Sequence, residues 1–272
     1  MSVPEEWLPD PARGEQNPAY RPSGPYSIGY LACERVTWHG LRLSTYNRSA
    51  RRGLYSALDD VFEGTEAMPR PAGARNHDFE EKRAALLNVL TDFALSADLR
   101  RPSLRQFAMA AHQSEPTLRH YFHDRQGLVV DILENIGLRA TPLWAMVATP
   151  STNPAAAFEE YFRISEAGMK LGGFTRAHAF GLIEGLADEV AGKVYLEKVL
   201  EPALRAVSDK LRGTPGGPAT EAGLRAASLA ALSPMLVMSL HQELLGGADC
   251  TPIDVGATMA SLQGWFSKGI SA

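Results

Sequence analysis

Between residues 103 and 125 the chain carries Ser103, Arg105, Ser114, Glu115, Pro116, Thr117, Arg119, His120, Tyr121 and Arg125. Most of these types can hydrogen-bond to phosphate oxygens or to base edges. Thr117 suits a phosphate or a thymine methyl, and Tyr121 suits a phosphate. Arg119 and Arg125 are read as phosphate contacts, which give affinity without sequence information. Glu115 either accepts from cytosine N4 or stabilises a helix N-terminus. Residue types in this pattern suit nucleic-acid recognition.

Charge agrees locally and not globally. The whole chain of 272 residues has a formal net charge of −4, which excludes a protein that binds nucleic acid through its overall charge. From Arg100 to Arg125, however, Arg100, Arg101, Arg105, Arg119 and Arg125 face only Glu115 and Asp124. A basic patch on an acidic protein is the footprint expected of a DNA-binding face, and equally that of a solvated helix surface rich in arginine; charge alone does not separate the two.

Other chemistries find less support. His112, His120 and His123 fit no zinc spacing and have no cysteine near them. No Gly-rich phosphate loop, serine nucleophile elbow or His-Glu-x-x-His run occurs. His178, Glu184 and Asp188 are the one acid/base set the chain offers, and on helices such groups read as structural. Neither a cofactor, a metal nor an enzymatic activity is expected. The two cysteines, Cys33 and Cys250, show no pairing pattern and fit a reducing compartment.

The elements that must hold the polar run are two short helices. Ser103 caps the first, with Gln106 three residues on as a capping box requires. Leu104, Phe107, Ala108 and Ala111 give it one apolar face. His112-Gln113 breaks the pattern. Ser114 caps a second helix, and Pro116 is tolerated in its first turn. Leu118, Tyr121 and Phe122 supply its buried side, although Tyr121 also counts among the residues that can point outward. Two short helices across a tight turn form a helix-turn-helix, whose second helix can enter a major groove.

From Leu86 to Leu128 the chain resembles the DNA-binding domain of TetR-type (tetracycline-repressor-like) bacterial regulators. A helix striped with Leu86, Leu87, Leu90, Phe93 and Ala94 comes first. Ser-Leu-Arg-Gln-Phe-Ala, the turn, Pro-Thr-Leu (116–118), Tyr121-Phe122, Arg125 and Leu128 follow without a gap. The chain departs from the pattern at Asp98 and His112, where the family usually has Gly. It departs again at Arg119 in place of Tyr and Arg125 in place of Lys. His112 therefore has to supply a turn that favours positive φ. The resemblance puts Arg105 at a position that can read guanine. It also implies a homodimer on a palindromic operator, tuned by a small-molecule effector, and regulation that is more often repression.

The rest of the chain divides around this unit. Residues 1–77 form an N-terminal extension: a Pro-rich arm to residue 26, alternation within 27–46 that fits a hairpin, an amphipathic helix over 50–63, and a linker. Arg48, Arg51 and Arg52 are either a phosphate-touching arm or part of a packed segment. Residues 78–127 form the DNA-binding domain, with Asp78 and Glu81 as the N-cap of its long helix. Residues 128–272 read as a helical domain for ligand binding and dimerisation. Asp124 and Asn153-Pro154 mark helix starts there, Pro202 a kink or break, and 213–218 a loop.

The expected fold class is all-α. The last two helices, about 219–246 and 253–271, are apolar enough to pack with a second copy as a four-helix interface. Candidate lining residues for a mostly apolar ligand are Trp144, Tyr161, Phe162, Met169, Phe174, His178, Phe180, Met235, Met238 and His241, each of which also suits plain core packing. The N-terminus lacks a signal-peptide pattern and no apolar run of about 18 residues is evident, so a cytoplasmic protein without membrane contact is expected. The competing expectation is an all-helical binding protein whose helix-turn-helix no longer reads DNA.

Overall fold

Side-chain oxygens set most of the helix starts. Ser103 accepts from the backbone N–H of Gln106, Ser114 from Thr117, Asp124 from Gly127, Asn153 from Ala156, Asp188 from Ala191 and Thr220 from Gly223. Each satisfies an N–H that the first turn of a helix leaves without a partner. The computed structural model describes residues 74–96, 101–170 and 173–269. The described residues are all-α, with no strand among them. The readings made for residues 1–73, including the hairpin and the arginine arm, lie outside the described residues, as do Asp98, Arg100 and Ile270.

The head of the chain comprises α1 (Ala74–Ala94), α2 (Leu104–Ala110), α3 (Glu115–Phe122) and the start of α4 (Arg125–Val147). The body follows as α5 (Pro154–Lys170), α6 (Gly173–Gly185), α7 (Glu189–Tyr195), α8 (Glu201–Arg212), α9 (Glu221–Ser239), α10 (Gly247–Cys250) and α11 (Val255–Gly269). Two boundaries correct the sequence reading. Helix α1 begins at Ala74, so Asp78 and Glu81 lie inside it and do not cap it. Pro202, read as a kink or break, does not break the chain's helical run: a π-helical turn over Leu196–Leu200 joins α7 to α8, and Pro202 sits in the first turn of α8, where its missing N–H costs little.

One hydrophobic cluster joins head to body. Leu86, Leu90, Phe107, Leu118, Phe122, Leu128, Ile132 and Leu133 meet Phe180 from α6 and Tyr195 from α7. A second fills the body with Phe158, Tyr161, Phe162, Val207, Leu211, Met235, Met238 and Met259. Beside it Lys210 is buried, its ammonium donating to the Thr149 carbonyl at 2.7 Å and to Glu160 at 2.6 Å. A buried ammonium is tolerated only with such partners.

Helix α11 packs along α5, with Phe266 stacked on Phe158 at 5.0 Å between ring centroids. Between α9 and α11 runs a groove of about 460 Å³ whose walls include Ala226, Ala230 and Trp265. Helix α9 buries Leu232, Met235 and Met238 but leaves Leu229 and Val237 exposed, and Trp265 of α11 is also exposed. A π-helical turn over Leu240–Leu244 prolongs α9. The resulting helix, Glu221–Leu244, is long and apolar enough by length and composition to cross a membrane. From the sequence no apolar run of that length is expected. One side of this helix is packed into the bundle core.

Candidate nucleic-acid interface

Helices α2 and α3 are held from within. Phe107, Leu118 and Phe122 are almost fully buried, and the reciprocal bonds between Ser103 and Gln106 pin the start of α2. The turn between the helices has His112 at φ 52°, the left-handed region that a non-Gly residue enters at a cost of about 1 kcal/mol. His123 closes α3 at φ 67°, its N–H donating to the Arg119 carbonyl at 2.9 Å. The sequence marks the first of these strained positions and not the second.

A cation on α1 fixes the far end of α3. Arg83 donates to the Tyr121 carbonyl at 3.3 Å, lies over the Phe122 ring 5.4 Å from its centroid, and pairs with Asp131. Burial pushes the Asp131 carboxyl up, against the pull of Arg83. A guanidinium at the carbonyl end of a helix also meets the negative end of its dipole.

The outward face then reads residue by residue. Arg105, Pro116, Arg119 and His120 are exposed, and Thr117 and Glu115 are half-buried. Arg119 comes within 4.0 Å of Glu115 one turn earlier. Ser103 and Ser114 are exposed, but their hydroxyls hold the caps; Ser114 Oγ also lies 2.8 Å from Thr117 Oγ1. Tyr121 is half-buried with its ring 4.9 Å from Phe79, so it leans on α1 and does not simply point outward. His120 sets its ring edge-on to Phe79 at 5.4 Å.

Arg125 corrects the sequence reading. Its Nη1 and Nη2 donate to the two carboxylate oxygens of Glu184 at 3.0 and 2.5 Å, and its Nε donates to the Pro102 carbonyl at 2.7 Å. Arg101 reaches the same carboxylate, Nε to Oε2 at 3.2 Å. The Glu184 side chain is 1% exposed. Two arginines counted toward the basic patch are thus paired with a carboxylate of the body, and Arg105 and Arg119 are the described arginines of the outward face not paired with it. The sequence did hold one signal of this: Glu184 is a lone charge in the apolar stretch Phe180–Leu186, and a buried carboxylate needs cations.

The described ligand candidates do not gather in one place. Tyr161, Phe162, Met235 and Met238 are buried together in the body core, with half-buried Trp144 against them. Burial pushes the Tyr161 phenol up to about 12. Phe174 and His178 touch ring to ring at 4.5 Å, and His178 Nδ1 lies 2.8 Å from the Tyr195 hydroxyl. Burial depresses His178 to about 4, which keeps the imidazole neutral. Phe180 belongs to the other cluster, packed against the head. His241 is half-buried at the end of α9 beside Gln242, and the Met169 side chain lies outside the described ones. None of the nine described candidates lines the groove between α9 and α11, nor a second cavity of about 220 Å³ bounded by Arg125, Gln126, Val129, Glu184, Asp188 and Ala191.

No family model, curated protein or solved structure matches this chain.

Each member of the acid/base set has partners of its own. His178 is engaged by Tyr195, Glu184 by two arginines, and Asp188 by the Ala191 N–H at 2.9 Å and the Gln126 amide at 2.8 Å. Those hydrogen bonds hold the Asp188 carboxyl below its usual range. The three histidines of the head have separate local settings, and among the described residues no three His, Cys, Asp or Glu side chains gather as a metal site.

Proposed function

We propose that this protein is a DNA-binding transcriptional regulator, a repressor in the simplest reading, with α3 as its reading helix. The observation that carries the reading is the pair α2 and α3. Both are capped, both are anchored on their inner faces by Phe107, Leu118 and Phe122, and both leave polar side chains outward. Arg105 reads a guanine edge, Thr117 touches a phosphate or a thymine methyl, and Arg119 and His120 contact backbone phosphates. Glu115, in the first turn of α3, stabilises the helix N-terminus.

The protein acts as a homodimer. The exposed apolar side chains Leu229, Val237 and Trp265 lie on the last two long helices, and burying them against a second copy presents two α3 helices to a palindromic site. A small, mostly apolar effector modulates binding by preferring one of two states of the body. Tyr161, Phe162, Met235 and Met238 pack against one another here, so the effector belongs to a state in which that core opens. Such a regulator works in the cytoplasm.

One observation favours a second reading, an all-helical binding protein whose head no longer reads DNA: Arg101 and Arg125 are engaged with Glu184, which thins the positive charge of the outward face. Selection of duplexes from a random pool by the full-length protein separates the two. Enrichment of inverted half-sites supports regulation. Absence of enrichment at low salt leaves the second reading.

A further inference from the structure

Helix α6 grips the head at both of its ends. Near its start, Arg176 donates to the Ser96 carbonyl just past α1, at 2.8 Å. At its end, Glu184 receives Arg101 and both Nη atoms of Arg125. Arg125 is the first residue of α4, and its Nε holds the Pro102 carbonyl, one residue before the Ser103 cap of α2. One buried carboxylate therefore gathers the entry to α2 and the entry to α4, the two chain segments that flank the α2–α3 pair.

The geometry is that of a fixed joint. A bidentate guanidinium–carboxylate pair sets orientation as well as distance. The joint is also anchored on the body side. Gly185 and Gly192 bring α6 and α7 into backbone contact, since a Cβ on Gly185 would meet the Gly192 Cα at 2.9 Å. Asp188, between those helices, takes the Gln126 amide from the first turn of α4. The node has little freedom to swing.

We propose that Glu184 is the positioning residue that sets the angle of the DNA-reading head on the body, and so fixes the half-site spacing that a dimer accepts. The inference rests on the DNA-binding reading above. Glu184 touches no DNA; it acts through Arg125 and Arg101. Its loss leaves each head able to bind a half-site, with the same phosphate contacts, and frees the two heads to splay.

The test uses the full-length protein and synthetic duplexes bearing the selected half-sites at varied separations. The variants are Glu184→Gln, which keeps the shape of the side chain, and Arg125→Lys, which keeps the charge and loses the fork. Circular dichroism establishes that each variant is folded. The wild type loses about tenfold or more in affinity when one base pair is inserted between half-sites, because two rigid heads accept one geometry. The variants lose less than about threefold for the same insertion, while their affinity for a single half-site and its salt slope stay at the wild-type values. If both variants keep the sharp spacing profile, or lose single half-site affinity with a changed salt slope, Glu184 does not position the head. If the wild type selects no site at all, the DNA-binding reading itself fails, and this inference with it.

Discussion

The guanidinium of Arg125 grips the carboxylate of Glu184 from 59 positions away in the chain, Nη1 to Oε2 at 3.0 Å. That contact turns a residue read as a phosphate ligand into a joint between head and body. Of the four described arginines of the 100–125 stretch, it sets Arg101 and Arg125, both paired with Glu184, apart from Arg105 and Arg119 on the outward face.

The division has a measurable signature in salt. Each phosphate contact contributes about 0.9 to the slope of log affinity against log salt concentration. Arg119→Ala lowers that slope by about one contact, whereas Arg125→Ala weakens binding and leaves the slope unchanged. Titrations of a labelled duplex at several salt concentrations decide it. A slope that falls with Arg125→Ala would return that residue to the DNA face.

His178 makes stability depend on pH. Its folded value of about 4 lies below the ordinary 6.5, so between those values the unfolded chain binds a proton that the native state refuses. Stability is therefore full above about pH 6.5 and falls as pH drops toward 4, by up to about 3 kcal/mol from this group. Urea midpoints of the wild type and of His178→Gln across that window isolate the effect. The difference between the two proteins narrows as pH falls, because the variant has no imidazole to charge.

Gly181 admits no side chain. A Cβ there would lie 2.1 Å from Cδ2 of Tyr195, in the ring that holds His178. Gly181→Ala forces Tyr195 aside and costs about 1–3 kcal/mol as overpacking. Thermal unfolding reads the loss, and an unshifted melting temperature would mean that α6 and α7 separate freely.

The turn between α2 and α3 distinguishes substitutions by backbone preference. With His112 at φ 52°, His112→Gly changes stability by less than about 1 kcal/mol, while the β-branched His112→Val destabilises by more than that. Equal effects of the two variants in chemical denaturation would show that the strain lies elsewhere.

Local signals carried most of what the sequence made legible. Ser103 with Gln106, Ser114, Asp124 and Asn153 each announce a helix start because the cap and the N–H it satisfies lie three residues apart. Long-range partners were not legible. Nothing near Arg125 in the chain names Glu184, and only the packing of α6 against the head brings them together. Asp78 failed as a cap because α1 starts a full turn earlier. Pro202 failed as a break because a π-helical turn takes up the mismatch just before it. Aromatic and Met residues in the body matched a pocket and a core equally well by type, and Tyr161, Phe162, Met235 and Met238 form the core.

Selection of duplex DNA from a random pool, with wild-type protein and with Arg105→Ala in parallel, tests the central claim most directly. The account predicts inverted half-sites for the wild type, with one base position losing about 1–3 kcal/mol of discrimination in the variant. No enrichment by the wild type at low salt would contradict it.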